Sequence, residues 1–213
     1  MVLVDSCRGA GLSLKLVFVL KYIHYVKFGM LELRELPPEI SGILAKVKAP
    51  PRLVAHLRLV YDVAVTVTSK VELVWPQLTF DKEAVLIGAA THDIGKAIYP
   101  EELSGSGKNH EKIGPELLLK NGLDEKYTRF ARTHARWNEE SENIGIEDLL
   151  VAWSDKVWKG KREESLEMVL CRKIAEKCGE EPWQTFLKLD EFAGTITKDA
   201  DARLAWQAQY PIN

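Results

Sequence analysis

Between Pro50-Pro51 and Pro76 the chain runs without a glycine or a further proline, and this stretch constrains the fold more than any other. Two readings compete for it. The cluster Val63, Val65, Thr66, Val67 and Thr68 has strand propensity, because β-branched side chains suit a pleated surface. A run from 51 to 74 is far longer than an ordinary strand, however, and proline in the first turn is a helix-start signal. The spacing predicts one long helix over 51–74. Similar punctuation continues on both sides. Pro37-Pro38-Glu39 opens a short helix over 38–48, with an acid near its positive end. Asp81 is an N-cap for a helix over 82–93, which Gly95 ends. Residues 99–109 read as a loop, followed by a helix over 109–120 stopped by Asn121-Gly122, and another over 124–137 capped by Asp124. A loop at 138–145 leads to helices at 146–158, near 163–178, at 182–193 and at 198–209. Alternating strand pairs, internal repeats and low-complexity tracts do not occur. The expected fold class is all-α, a multi-helix bundle.

Upstream of Pro37 the reading changes. Residues 12–28 (LSLKLVFVLKYIHYVKF) are apolar but interrupted by Lys15, Lys21 and Lys27, so they fail as a membrane span. No small-residue cleavage site follows them, which speaks against a signal peptide. Residues 1–36 are read as an N-terminal extension, with Met30 a second possible start, and 37–213 as the domain. His24, inside the extension, is read as a surface or core histidine. Of the 213 residues 46% are hydrophobic, enough for one sizeable core. A formal charge of −2 and a pI near 6.2 give no basic surface for nucleic acid. The cysteines Cys7, Cys171 and Cys178 are odd in number and fit neither a disulfide framework nor a metal spacing, and a reducing cytoplasm is expected.

The chemistry concentrates at Thr91-His92-Asp93-Ile94-Gly95-Lys96, where an apolar run from Ala84 to Ala90 closes on an adjacent His-Asp pair. Imidazole nitrogen and carboxylate oxygen suit divalent Zn, Mn, Fe or Co. Polar groups at the end of a buried helix are costly unless something pairs with them, and a metal would pair with both. Alone, the dipeptide is equally a solvated or salt-bridged helix end. The other histidines change the balance. His56 falls on the first long helix, His110 opens the helix after the pair, and His134 lies near the end of the next. Asp155 then stands in an apolar stripe with Leu149, Leu150, Val151, Trp153 and Val157. One candidate donor per consecutive helix is the pattern of a metal site in a bundle core. Ser104-Gly105-Ser106-Gly107-Lys108 is not a phosphate-binding P-loop. Its glycine spacing is wrong, Asn109 replaces the Ser or Thr, and no strand precedes it.

The order His56, His92-Asp93, Asp155, with HDIGK at 92–96, resembles the HD-domain superfamily of metal-dependent phosphohydrolases over roughly residues 51–165. The resemblance implies that His56, His92, Asp93 and Asp155 hold one divalent metal, and that His110 and His134 hold a second one bridged by Asp93. Without it, His110 reads as a helix-cap residue and His134 as a polar residue beside Arg132 and Arg136. The metal, one or two ions, could be Fe, Mn, Zn, Co or Mg. Lys96 is implied as a catalytic and substrate-binding group beside Asp93, against the simpler reading of a lysine on the helix dipole. Arg58 and Arg136 are further candidates for substrate contact, and Lys108, Arg132 and Trp137 weaker ones. No GYP motif follows His134, so cyclic-di-GMP hydrolysis is not implied, and the large HD nucleases and stringent-response enzymes match poorly. The implied activity is hydrolysis of a small phosphate ester, a nucleotide or conceivably a dinucleoside polyphosphate. A di-iron HD oxygenase shares the same donor string, and a non-catalytic nucleotide-binding regulator is the third reading. The expected partner is a small phosphorylated substrate, with no membrane, no nucleic acid, and a homodimer left open. The C-terminal helices 163–209, with Trp183 and Trp206, are a lid, a dimer surface or plain core.

Overall fold

The computed structural model of the chain describes residues 31–137 and 144–212. The apolar run 12–28 with His24, Cys7, and most of the 138–145 loop lie outside the described residues. The compact unit spans Leu33–Asn213. Its helices are α1 (Pro38–Lys46), α2 (Pro51–Val74), α3 (Lys82–Thr91), α4 (Asn109–Lys120), the short α5 (Glu125–Thr128) and α6 (Phe130–Thr133), α7 (Ile146–Val157), α8 (Glu164–Cys178), α9 (Pro182–Thr197) and α10 (Ala200–Ala208). Two 3-10 turns, Ile94–Ala97 and Pro100–Leu103, join α3 to α4. No strand occurs among the described residues, and the fold is all-α.

The long stretch is one helix with the bounds that its prolines predict. Its β-branched cluster stays helical because the threonines bond back along the helix. Thr68 Oγ1 donates to Ala64 O at 2.8 Å, and Thr66 Oγ1 to Asp62 O at 3.2 Å. Leu53, Leu57, Val60, Ala64, Val67 and Val71 recur three and four residues apart and are all fully buried. That stripe packs on α3 and α7, and α8 and α9 close the far side of α7. Burying a leucine or valine stabilises by roughly 1.5–3 kcal/mol, so α2 and α7 are the rigid frame on which the site is mounted.

Two boundaries differ from expectation. Asp81 caps α3 as predicted, its Oδ1 accepting from Ala84 N at 2.9 Å, but α3 ends at Thr91 rather than at 93. Gly95 is not its terminator. A Cβ at Gly95 would lie 2.2 Å from the carbonyl oxygen of His110, so this glycine lets the 3-10 turn press against the start of α4. The helix expected over 124–137 is instead α5 and α6, which end at Thr133 where Arg136 N tightens the turn onto Thr133 O at 2.8 Å. Cys171 is buried in the core and Cys178 is half-buried. No described helix is long and apolar enough to cross a membrane.

Candidate metal centre

Five segments deliver the six donors. His56 lies just over one turn into α2. His92 caps the C-terminus of α3, and Asp93 follows at φ −103°, ψ 12°, the bridge region in which many active-site residues sit. The chain therefore leaves the helix axis at the pair, and both side chains are buried. His110 is in the first turn of α4, His134 caps α6, and Asp155 is in the last turn of α7.

The donors form two groups, His56 with His92 and Asp155, and Asp93 with His110 and His134. In the first, His56 Nε2 is 3.3 Å from His92 Nε2 and 3.5 Å from Asp155 Oδ1, and His92 Nε2 is 3.7 Å from the same oxygen. Asp93 lies between the groups. Its Oδ2 is 3.2 Å from His56 Nε2 and 3.6 Å from His92 Nε2, while its Oδ1 is 3.3 Å from His110 Nε2 and 3.4 Å from His134 Nε2. Donors held at about 2.1 Å from one ion stand roughly 3.0–3.4 Å apart at octahedral and tetrahedral angles, so these separations suit a cation at the centre of each group. Asp93 Oδ1, Asp155 Oδ1 and His110 Nε2 are buried without a hydrogen-bond partner among the described residues. Leaving such atoms unpaired is costly, and a divalent metal would satisfy all three.

The far side of three of the four rings is fixed. The Nδ1 of His92 meets Ala89 O at 3.0 Å, that of His134 meets Phe130 O at 3.1 Å, and that of His110 meets Glu102 Oε2 at 2.5 Å. With Nδ1–H donating, Nε2 presents its lone pair to the centre. Glu102, from the turn Pro100–Leu103, also accepts from the backbone N–H of Asn109 and of His110. It thus caps α4 from outside, the role that His110 has when the resemblance is set aside.

Burial pushes the imidazole of His134 down to about 3 and lowers that of His56, keeping both neutral and ready as ligands. Burial opposes ionisation of Asp93, but His92, Lys96, His110 and His56 outweigh it and hold the carboxyl well below its usual range. Asp155 behaves alike, with His92, Lys159 and Lys156 outweighing burial. His110 is raised, because Asp93 and Glu102 outweigh its burial.

A cavity of about 480 Å³ opens over the donors. Lys96 lines it, its Nζ 2.6 Å from Asp93 Oδ2. Arg58 does not reach it. Its guanidinium is spent on Glu35 at 2.6 Å and on the carbonyls of Leu33 and Arg34, which corrects the expectation of a substrate contact. Arg136 is exposed and does not line the cavity, although its Nε stands 3.7 Å from the buried, cavity-lining Glu111. Trp137 donates to Ser165 Oγ at 2.9 Å and does not line the cavity. Ser104 and Gly107 of the rejected P-loop candidate do line it. Sequence reasoning missed Lys156 and Lys159, which contact Asp155 at 2.7 and 3.6 Å. The position of Lys159, four residues after Asp155, was the available signal, whereas that of Lys156, one residue after it, was none. Arg52 and Trp158, also in the lining, gave no signal.

The HD domain family model matches residues 53–158, a stretch that contains all six donors. The chain belongs to the HD-domain family. Its HD domain is compatible with a divalent metal site through these His and Asp clusters. Two curated proteins resemble it at a distance. A tRNA (cytidine(56)-2'-O)-methyltransferase of Thermoplasma volcanium is 25% identical over 167 residues, covering 72% of this chain and 45% of that protein. A Ribonuclease Y of Pseudothermotoga lettingae is 30% identical over 142 residues, covering 65% of this chain and 26% of that protein. The chain thus spans less than half the length of either relative. No solved structure matches it significantly.

Proposed function

We propose that this HD domain is a metal-dependent phosphohydrolase acting on a small phosphate ester, a nucleotide in our reading, at a two-cation centre divided by Asp93. The observation that carries the proposal is the Asp93 carboxylate, with Oδ2 facing His56 and His92 and Oδ1 facing His110 and His134. The first group then has three protein donors of its own, His56, His92 and Asp155, beside Oδ2 of Asp93, and the second has two, His110 and His134, beside Oδ1. Divalent cations bound there would supply Lewis acidity toward a phosphoryl oxygen and an activated water as nucleophile.

The chain's own residues account for the rest. His92, His110 and His134 keep their Nε2 atoms aimed inward through the partners on Nδ1, and neutral His56 and His134 do not have to shed a proton first. Lys96, Lys156 and Lys159 line the cavity with their ammonium groups on the Asp93 and Asp155 carboxylates. They are placed to bind the phosphate and to stabilise the negative charge that grows on its oxygens during attack. Among the relatives, one is named a ribonuclease, whose bond is a phosphodiester, and the other a methyltransferase. Hydrolysis fits the donor set, whereas nothing in the cavity singles out methyl transfer. Metal-loaded protein should release inorganic phosphate from at least one member of a nucleotide panel, and Asp93→Ala should release none. Full metal occupancy without phosphate release from any phosphate ester would contradict the proposal.

A further inference from the structure

The cavity has a second set of lining residues that the metal chemistry does not use. They come from α10 and the stretch after it, outside the 53–158 region that matches the family. Leu204 and Ile212 bring aliphatic surface, and Gln207 brings an amide. Leu204 is 41% exposed, an apolar side chain on the rim of a charged site. The Gln207 side chain makes no hydrogen bond to any described residue. Trp158, which packs edge-on against His56 with ring centroids 5.5 Å apart, lines the same cavity, and its buried indole N–H has no acceptor among the described residues.

This wall is tied to the metal donors. Arg52, one turn before His56 on α2, donates from Nε to Tyr210 O at 2.7 Å and from Nη2 to Ala208 O at 3.2 Å. Its backbone N–H donates to Pro211 O at 3.0 Å. The same helix therefore positions His56 and the stretch 208–212, so that wall and donors keep one register.

We infer that Leu204, Gln207 and Ile212, clamped through Arg52, form the subsite that selects the organic part of the substrate, and that it takes a nucleoside. The inference rests on the phosphohydrolase reading for the other end of the substrate. The volume falls within the range of small-molecule sites, about 300–1,000 Å³, and exceeds what a phosphate group alone fills. Aliphatic faces with a free amide and an unspent N–H match a flat, weakly polar ring with hydrogen-bonding edges. An inorganic polyphosphate or a small polyol phosphate would leave Leu204 and Ile212 wet and Gln207 without a partner.

The test is equilibrium binding to metal-loaded, full-length protein of the methylene-phosphonate analogue of a nucleoside 5′-monophosphate, whose C–P bond resists hydrolysis, with methylphosphonate as the control. Leu204→Ala and Gln207→Ala change exposed and half-buried positions, and circular dichroism with metal content checks that both variants fold and load. Wild type should bind the analogue at least about tenfold more tightly than methylphosphonate, and each variant should lose about fivefold or more for the analogue alone. Equal affinity for the two probes in wild type, or an unchanged affinity for the analogue in both variants, overturns the subsite. Phosphate release from a nucleoside 5′-monophosphate and from glycerol 2-phosphate, on the same samples, reads the hydrolase proposal separately. Wall-dependent binding without phosphate release overturns the hydrolase reading and upholds the subsite. Phosphate release with wall-independent binding does the reverse.

Discussion

Asp93 serves two groups of imidazoles with the two oxygens of one carboxylate, and its neighbours are arranged to keep it ionised in spite of burial. The residue that supports this least visibly is Glu102. It accepts from His110 Nδ1 and from two backbone N–H groups at the start of α4, so Glu102→Ala leaves three buried or part-buried donors unanswered. Unfolding in urea should show a loss of about 1–3 kcal/mol, and metal titration an affinity weaker by roughly 10–100-fold. Unchanged metal affinity would deny Glu102 its positioning role. The histidines make a prediction about pH. Burial keeps the folded imidazole of His134 neutral down to about 3, whereas the ordinary value is 6.5. Between those values the unfolded chain binds a proton there that the folded chain does not, so metal-free protein should lose stability as pH falls through that window. His56, lowered by burial, acts with the same sign, and Asp93 and Asp155 extend the loss below 3.8. His110, raised, acts oppositely, its contribution fading as pH rises through its folded pKa. Urea midpoints at several pH values should show a shallower slope below pH 6.5 in His134→Gln than in wild type, and identical slopes would refute the assignment.

At the scale of elements, what local rules control was legible and what contacts control was not. α2 follows from its length and prolines, and α3 starts at the cap that Asp81 announces. The end of α3 two residues early, and the role of Gly95, depend on how closely the turn Ile94–Ala97 approaches α4, a contact with no trace in local sequence. Gly95→Ala tests it. The added methyl would meet backbone rather than a flexible side chain, so turn and helix must separate. That should cost about 1–3 kcal/mol in urea unfolding and weaken metal binding through displaced His110. A variant as stable as wild type would show that the approach is not needed. Glu102 belongs to the same class, since it stands eight positions before the ring it holds, across the irregular stretch 104–108.

Across the whole molecule, the six donors could be named from residue type and order, because one per helix is a pattern that a sequence carries. Their division into two groups came only with the family resemblance, and which oxygen of Asp93 faces which pair of histidines is set by contacts that no sequence carries. Lys159 was within reach of a spacing argument, but Arg58 looked like a site residue only by charge and is held instead by Glu35 and two carbonyls. The contribution of α10 was out of reach, because the clamp joins Arg52 to Tyr210 across a sequence separation of 158. The central claim, a two-cation centre divided by Asp93, is tested most directly by metal stoichiometry, through elemental analysis of protein purified without oxygen. Two ions per chain are expected in wild type, one in His110→Ala and in His134→Ala, and none in Asp93→Ala. One ion per chain in wild type, unchanged when His110 and His134 are replaced, would contradict it.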